Sequence, residues 1–219
     1  MSFFEQPPPH RTGWQPPAWD RPSEAVLGAV VPLTLLLGRN EEYAYAVEEF
    51  RAYPNGFTCS VVTLRSPLVS RPTSMHSPMP MHPMMGRGPR IGFEFSDGSR
   101  ALVERPPFAP PPMAPGSSSV QSVAVLRSTT PGPPPTNMFG VPVDDDGMPV
   151  QPFLTPRGGG GGGDRFALSY WCYPLPPPGE MTIHADWPDQ ELPEVSIPFD
   201  ADRIRDAARD AITLWEPDA

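Results

Sequence analysis

The sequence predicts an all-β chain: an immunoglobulin-like antiparallel β-sandwich with a C-terminal α-helix and long disordered insertions. Three observations predict it. Apolar and polar residues alternate at the period of two that a half-buried strand requires, as in Ile91-Gly92-Phe93-Glu94-Phe95. Turn signals separate such runs at close spacing, at Pro54-Asn55-Gly56 and Asp97-Gly98. Near the end, Ile204, Ala208, Ala211, Ile212 and Trp215 recur at helical spacing, opened by Asp200 and Asp202 and closed by Pro217.

Proline and glycine set the boundaries. The chain has 36 prolines and 19 glycines. Proline lacks a backbone donor and fixes φ, so it is kept out of helix interiors and central strands. Its clusters therefore mark what lies outside the core. Residues 1–23 read as a disordered Pro-rich tail whose only sticky points are Trp14 and Trp19. Residues 24–216 read as one sandwich domain, interrupted by disordered insertions at about 67–89 and 106–164. The second insertion ends in the hexaglycine 158–163 and holds one short candidate strand, Val120 to Arg127.

The elements follow in order. Residues 24–38 form a Val/Leu-rich strand in which Pro32 implies an edge or a bulge. Residues 43–53 and 57–65 form a hairpin about Asn55-Gly56, both of which accept positive φ. Ile91, Phe93 and Phe95 begin a second hairpin that turns at Asp97-Gly98 and returns over 99–104. Strands at 165–173 and 180–187 flank the stiff connection 174–179. In the second, Met181, Ile183, Ala185 and Trp187 share one face, while Thr182, His184 and Asp186 share the other. Val195, Ile197 and Phe199 alternate again, and Pro198 suggests an edge.

The segments FRAYPNGF (50–57), RIGFEFSDGSRA (90–101), PRGGGGGG (156–163) and YWCYPLPPPGEMTIHADWP (170–188) resemble a family of uncharacterised proteins from high-GC Gram-positive bacteria. The last segment is the most specific. The resemblance implies a high-GC origin and one domain assembled from the scattered pieces. It implies no activity, substrate or site.

Composition excludes several chemistries. All 16 basic residues are arginine. Without lysine the hexaglycine is no P-loop, and Schiff-base, Ser-Lys and kinase chemistry are closed. A net charge of −9, with no arginine-rich run, argues against binding nucleic acid. The apolar run Ala25 to Gly38 is too short to span a bilayer. Ala44-Tyr45-Ala46 mimics a signal cleavage site, but the preceding residues are acidic and lack a basic start, so the expected location is the cytoplasm. Cys59 and Cys172 match neither a disulfide framework nor a zinc spacing, and are expected to be buried and reduced.

Five features could carry chemistry. MHSPMPMHPMM (75–85) offers Met75, His76, Met79, Met81, His82, Met84 and Met85 as soft ligands for copper. The competing reading, a proline-stiffened loop between hairpins, is preferred. His184 and Asp186 resemble two parts of a nucleophilic triad, with Ser169 or Cys172 expected on the neighbouring strand. A solvated sheet face explains the pair more simply. Asp144-Asp145-Asp146-Gly147 lacks the alternate spacing of a calcium loop and reads as a turn. Trp171, Tyr173 and Trp187 are either a stacking platform or core, and core is preferred. PLPPPG (174–179) is either a docking segment or a rigid connector, and the connector is preferred. The chain is therefore expected to be a non-enzymatic protein–protein interaction or structural module, with no catalytic, cofactor-binding or metal residues assigned. The partner protein is unknown and no membrane is involved. The alternative is copper binding through 75–85.

Overall fold

The computed structural model describes residues 17, 19–69, 88–103 and 142–215. The described residues are mostly β, with three antiparallel sheets and one α-helix among them. The strands are β1 (Val26–Leu27), β2 (Ala29–Arg39), β3 (Tyr43–Tyr53), β4 (Gly56–Arg65), β5 (Arg90–Glu94), β6 (Arg100–Leu102), β7 (Phe153–Gly162), β8 (Arg165–Tyr173), β9 (Glu180–Trp187), β10 (Leu192–Asp200) and β11 (Ile212–Thr213). Helix α1 spans Asp202–Arg209. A five-stranded sheet runs β2-β3-β4-β8-β7, a four-stranded sheet runs β10-β9-β5-β6, and β1 pairs with β11.

The two larger sheets share one apolar core. Val47, Phe50, Phe57, Leu168 and Tyr170 enter it from the first, and Ile91, Phe93, Met181, Ile183 and Phe199 from the second. Trp187 sits in the same core with the Tyr43 and Tyr45 rings edge-on to it. β10 lies against β2 on one side, and β6 against β7 on the other. Helix α1 packs on β2 and β3 through Ile204 and Ala208. Arg203 places its guanidinium over the Phe199 ring and donates to the Pro32 carbonyl. Pro32 is on an edge strand, directly before the first of two register shifts, where a missing N–H is tolerated.

The turns differ from the sequence expectation in detail. The β3–β4 loop is Pro54-Asn55, because Tyr53 pairs with Gly56. Among the described residues, positive φ belongs to Glu191 and five glycines, and neither Asn55 nor Gly56 is one of them. The β5–β6 loop is Ser96-Asp97-Gly98, not two residues: Phe95 N–H donates to the Ser99 carbonyl, and Gly98 takes φ of 81°. The Asp97 carboxylate accepts from the Ser99 hydroxyl and N–H, which holds its pKa below the ordinary value.

Three larger expectations are overturned. The hexaglycine does not end a disordered insertion. Gly158 to Gly162 form the second half of β7, paired residue for residue with β8. β8 pairs with β4 on one side and offers its other side to β7, and glycine can supply main-chain partners there without a side chain. The 1–23 tail is folded where Trp19 and Asp20 are buried. The helix stops at Arg209, and Ile212 pairs with Leu27 instead of extending the helical face. Leu214 N–H donates to the Ala25 carbonyl, so the post-helical chain finds strand partners. Residues 75–85, the Val120–Arg127 candidate strand and Pro217 lie outside the described residues.

The glycine strand yields a paired prediction. A Cβ at Gly160 meets nothing within 4 Å, whereas one at Gly161 would sit 2.2 Å from the Arg165 carbonyl oxygen. Gly160→Ala is expected to stabilise by about 0.4–1 kcal/mol through the unfolded chain. Gly161→Ala is expected to destabilise by about 1–3 kcal/mol through overpacking. Chemical denaturation of the two variants side by side checks the opposite signs.

Candidate functional site

The predicted triad does not assemble. β9 pairs with β10 and β5, while β8 pairs with β4 and β7. His184 alternates with the core residue Ile183 and so faces outward from the four-stranded sheet. Ser169 alternates with Leu168 and Tyr170 and faces outward from the opposite sheet. Cys172 points into the core between them. The expectation of a neighbouring strand fails because the connection 174–179 crosses between sheets instead of closing a hairpin.

On its own face His184 has other company. Its Nδ1 is 2.9 Å from Ser196 Oγ, and it lies 3.9 Å from a carboxylate oxygen of both Glu94 and Glu194. Asp186, 8 % exposed, takes both nitrogens of a fork from Arg90. These carboxylate contacts raise the Arg90 pKa. Arg100 and Glu94 pair beside them. The face is a ladder of cross-strand charge pairs, such as stabilises antiparallel sheets. Among the described residues no group of three or more His, Cys, Asp and Glu side chains is placed to hold a metal ion.

Both cysteines are buried free thiols. Burial pushes both pKa values above the ordinary thiol value, and Cys59 pushes Cys172 further. A thiol is reactive as its thiolate. Neither cysteine is expected to react with a thiol-specific disulfide reagent at pH 8 in the folded chain, and both are expected to react in denaturant. Time-resolved absorbance of the released thiolate reads this directly.

The remaining features are local structure. Asp144 Oδ1 accepts from the N–H groups of Asp146 and Met148 in a turn closed by a Val143–Pro149 bridge. The 174–179 connector is tied down at Pro176 by Arg205, at Pro178 by Ser96 and at Gly179 by Ala201. Trp171 and Trp187 are both fully buried, but in different places. Trp187 is core. Trp171 is on the outer face of the five-stranded sheet, in a satellite cluster with Trp19 and Phe153, edged by Tyr53 and Tyr173.

Two surface features were not found in the sequence. The first is this aromatic cradle and its cover. Trp19 meets Phe153 edge-on at 5.8 Å, and Trp171 Nε1 donates to the Trp19 carbonyl at 2.8 Å. Asp20, 7 % exposed, reaches Arg157 on β7 at 3.4 Å. Burial lowers the Arg157 pKa while Asp20 opposes the shift. The signal available was Trp19 itself, a large apolar residue in a polar segment. The second is the outer edge of β7, where Gly158 to Gly162 are exposed. No protein family, curated protein or solved structure matches this chain. No helix among the described residues is long and apolar enough to cross a membrane.

Proposed function

We propose that the chain is a non-enzymatic, cytoplasmic protein–protein interaction module built on an immunoglobulin-like β-sandwich. Two sheets packed across one core support the architecture. The likeness is one of architecture, since β2, β3 and β4 run as a plain meander within one sheet. The observation that carries the interaction reading is the β7 edge. Natural sheets protect their edges with proline, bulges, charge or short length. Pro32 and two register shifts protect β2, Pro193 and Pro198 protect β10, and β6 has only 3 residues. β7 has Pro156 and a register shift just before Gly158, but beyond them Gly159 to Gly162 run on with no proline, charge or further shift. An extended segment of a partner protein can add to this edge through main-chain hydrogen bonds alone.

Gly160→Lys tests it, because the side chain enters open space and leaves β7–β8 pairing intact. Wild-type chain used as bait in its native host should enrich a partner that the lysine variant loses. Equal recovery by both baits, or none by either, would sink the reading.

A further inference from the structure

We propose that the outer face of the five-stranded sheet carries a peptide-binding site for an aromatic residue followed by a carboxylate, occupied in cis by the chain's own Trp19-Asp20. The site is distinct from the β7 edge and does not rest on it.

The cover is held as a ligand is held. Between Trp19 and Glu24 no main-chain hydrogen bond to the sheet occurs among the described residues. The backbone bonds of this segment are its own turns, Asp20 to Pro17 and Val26 to Ser23. Among the described residues, what joins it to the sheet is one ring, one side-chain hydrogen bond and one ion pair: Trp19 on Phe153 and Trp171, Trp171 Nε1 to the Trp19 carbonyl, and Asp20 to Arg157. Interface hot spots are enriched in tryptophan and arginine seated in well-packed, desolvated pockets, as Trp19 and Arg157 are used here.

The receptor half is built by strand register. Thr155 pairs with Trp171, and Phe153 with Tyr173, which sets these side chains side by side on one face. Trp171 is fully buried, with Tyr53 edge-on at 5.8 Å. It presents an indole N–H that needs an acceptor, and Arg157 supplies the counter-charge. The cis segment does not satisfy everything. Thr155 Oγ1 is buried and meets no hydrogen-bond partner. A segment from another chain that also offers an acceptor there would bind more tightly than Trp19-Asp20 does.

The site is therefore self-occupied, and a competing segment must displace a tethered one. Short tethers give effective concentrations of about millimolar, so a free peptide meets a strong competitor in the wild-type chain. Removing the anchor in cis opens the site.

The test uses the full-length chain carrying Trp19→Ala and Asp20→Asn, with a labelled synthetic peptide of residues 15–24 followed by fluorescence anisotropy. The expected result is saturable one-to-one binding, at least about tenfold tighter than to wild type. Alanine for the tryptophan in the peptide, or Arg157→Ala in the chain, should each weaken it by about tenfold or more. No binding by a double variant whose circular dichroism matches wild type would overturn the proposal, as would equal binding of a scrambled peptide. Hydrogen exchange of the Trp171 indole N–H in the wild-type chain decides the matter should the double variant not fold. Exchange at least about tenfold faster than the β4 and β8 amides shows a cover that lifts without global unfolding. Exchange at the same rate makes Trp19 ordinary core and overturns the site.

Discussion

Phe50→Ala is expected to destabilise the fold by about 3–5 kcal/mol, the range for removing a fully buried aromatic ring. Phe50 on β3 has no exposed surface. Its ring meets Phe57 on β4 at 5.5 Å, Phe93 on β5 at 6.1 Å and Phe199 on β10 at 5.1 Å, each edge-on. It therefore joins both large sheets at once. The three neighbours sit on strands locked by ladder bonds, so they cannot collapse into the space left behind, and the cavity term adds to the lost burial. Domains of this size are stable by about 5–15 kcal/mol, so the variant should lie near its unfolding threshold. Urea unfolding should show a lower midpoint at an unchanged slope. Leu36→Ala is the control: Leu36 is half exposed on an edge strand, and its change should stay within about 0.5 kcal/mol. A Phe50→Ala shift as small as the control's would remove Phe50 from the centre of the core.

How much of this was readable in the sequence follows from which interactions are local. Met181, Ile183, Ala185 and Trp187 were legible as one face because the period of two is a property of the strand alone, and all are buried. Pro32 and Pro198 marked edges for an equally local reason, the missing donor. β7 was not legible. Its glycines carry no pattern, and what makes them a strand is the open side of β8, a tertiary fact. The His184–Asp186 pair was legible as sharing a face, but its neighbours were not. Strand order is non-local, and a proline-rich connector can close a hairpin or cross between sheets with the same residues. The helix was over-extended because Ile212 and Trp215 keep helical spacing, yet both are exposed and Ile212 is paired with Leu27. Trp19 was seen as sticky, but no local rule says what a lone tryptophan will cover.

Gly56→Val is expected to be the most damaging change outside the core, at or above the top of the about 1–3 kcal/mol range for overpacking. Gly56 opens β4 opposite Tyr53. A Cβ there would lie 2.4 Å from the Cys172 carbonyl oxygen and 2.7 Å from the Trp171 ring. Neither neighbour can give way. Cys172 is paired on both sides, with Phe57 of β4 and Leu154 of β7. Trp171 is wedged between Tyr53 and the Trp19 segment, with its indole N–H already engaged. The position therefore demands glycine for space and not for φ, and even the single methyl of Gly56→Ala should cost stability. The damage should also reach the cradle. Pushing Trp171 outward separates its Nε1 from the Trp19 carbonyl, so tryptophan emission should shift to the red and become more open to quenching by acrylamide before global unfolding. Emission and midpoint both at wild-type values would show that β4 and β8 sit further apart at this rung than the contacts of Gly56 require.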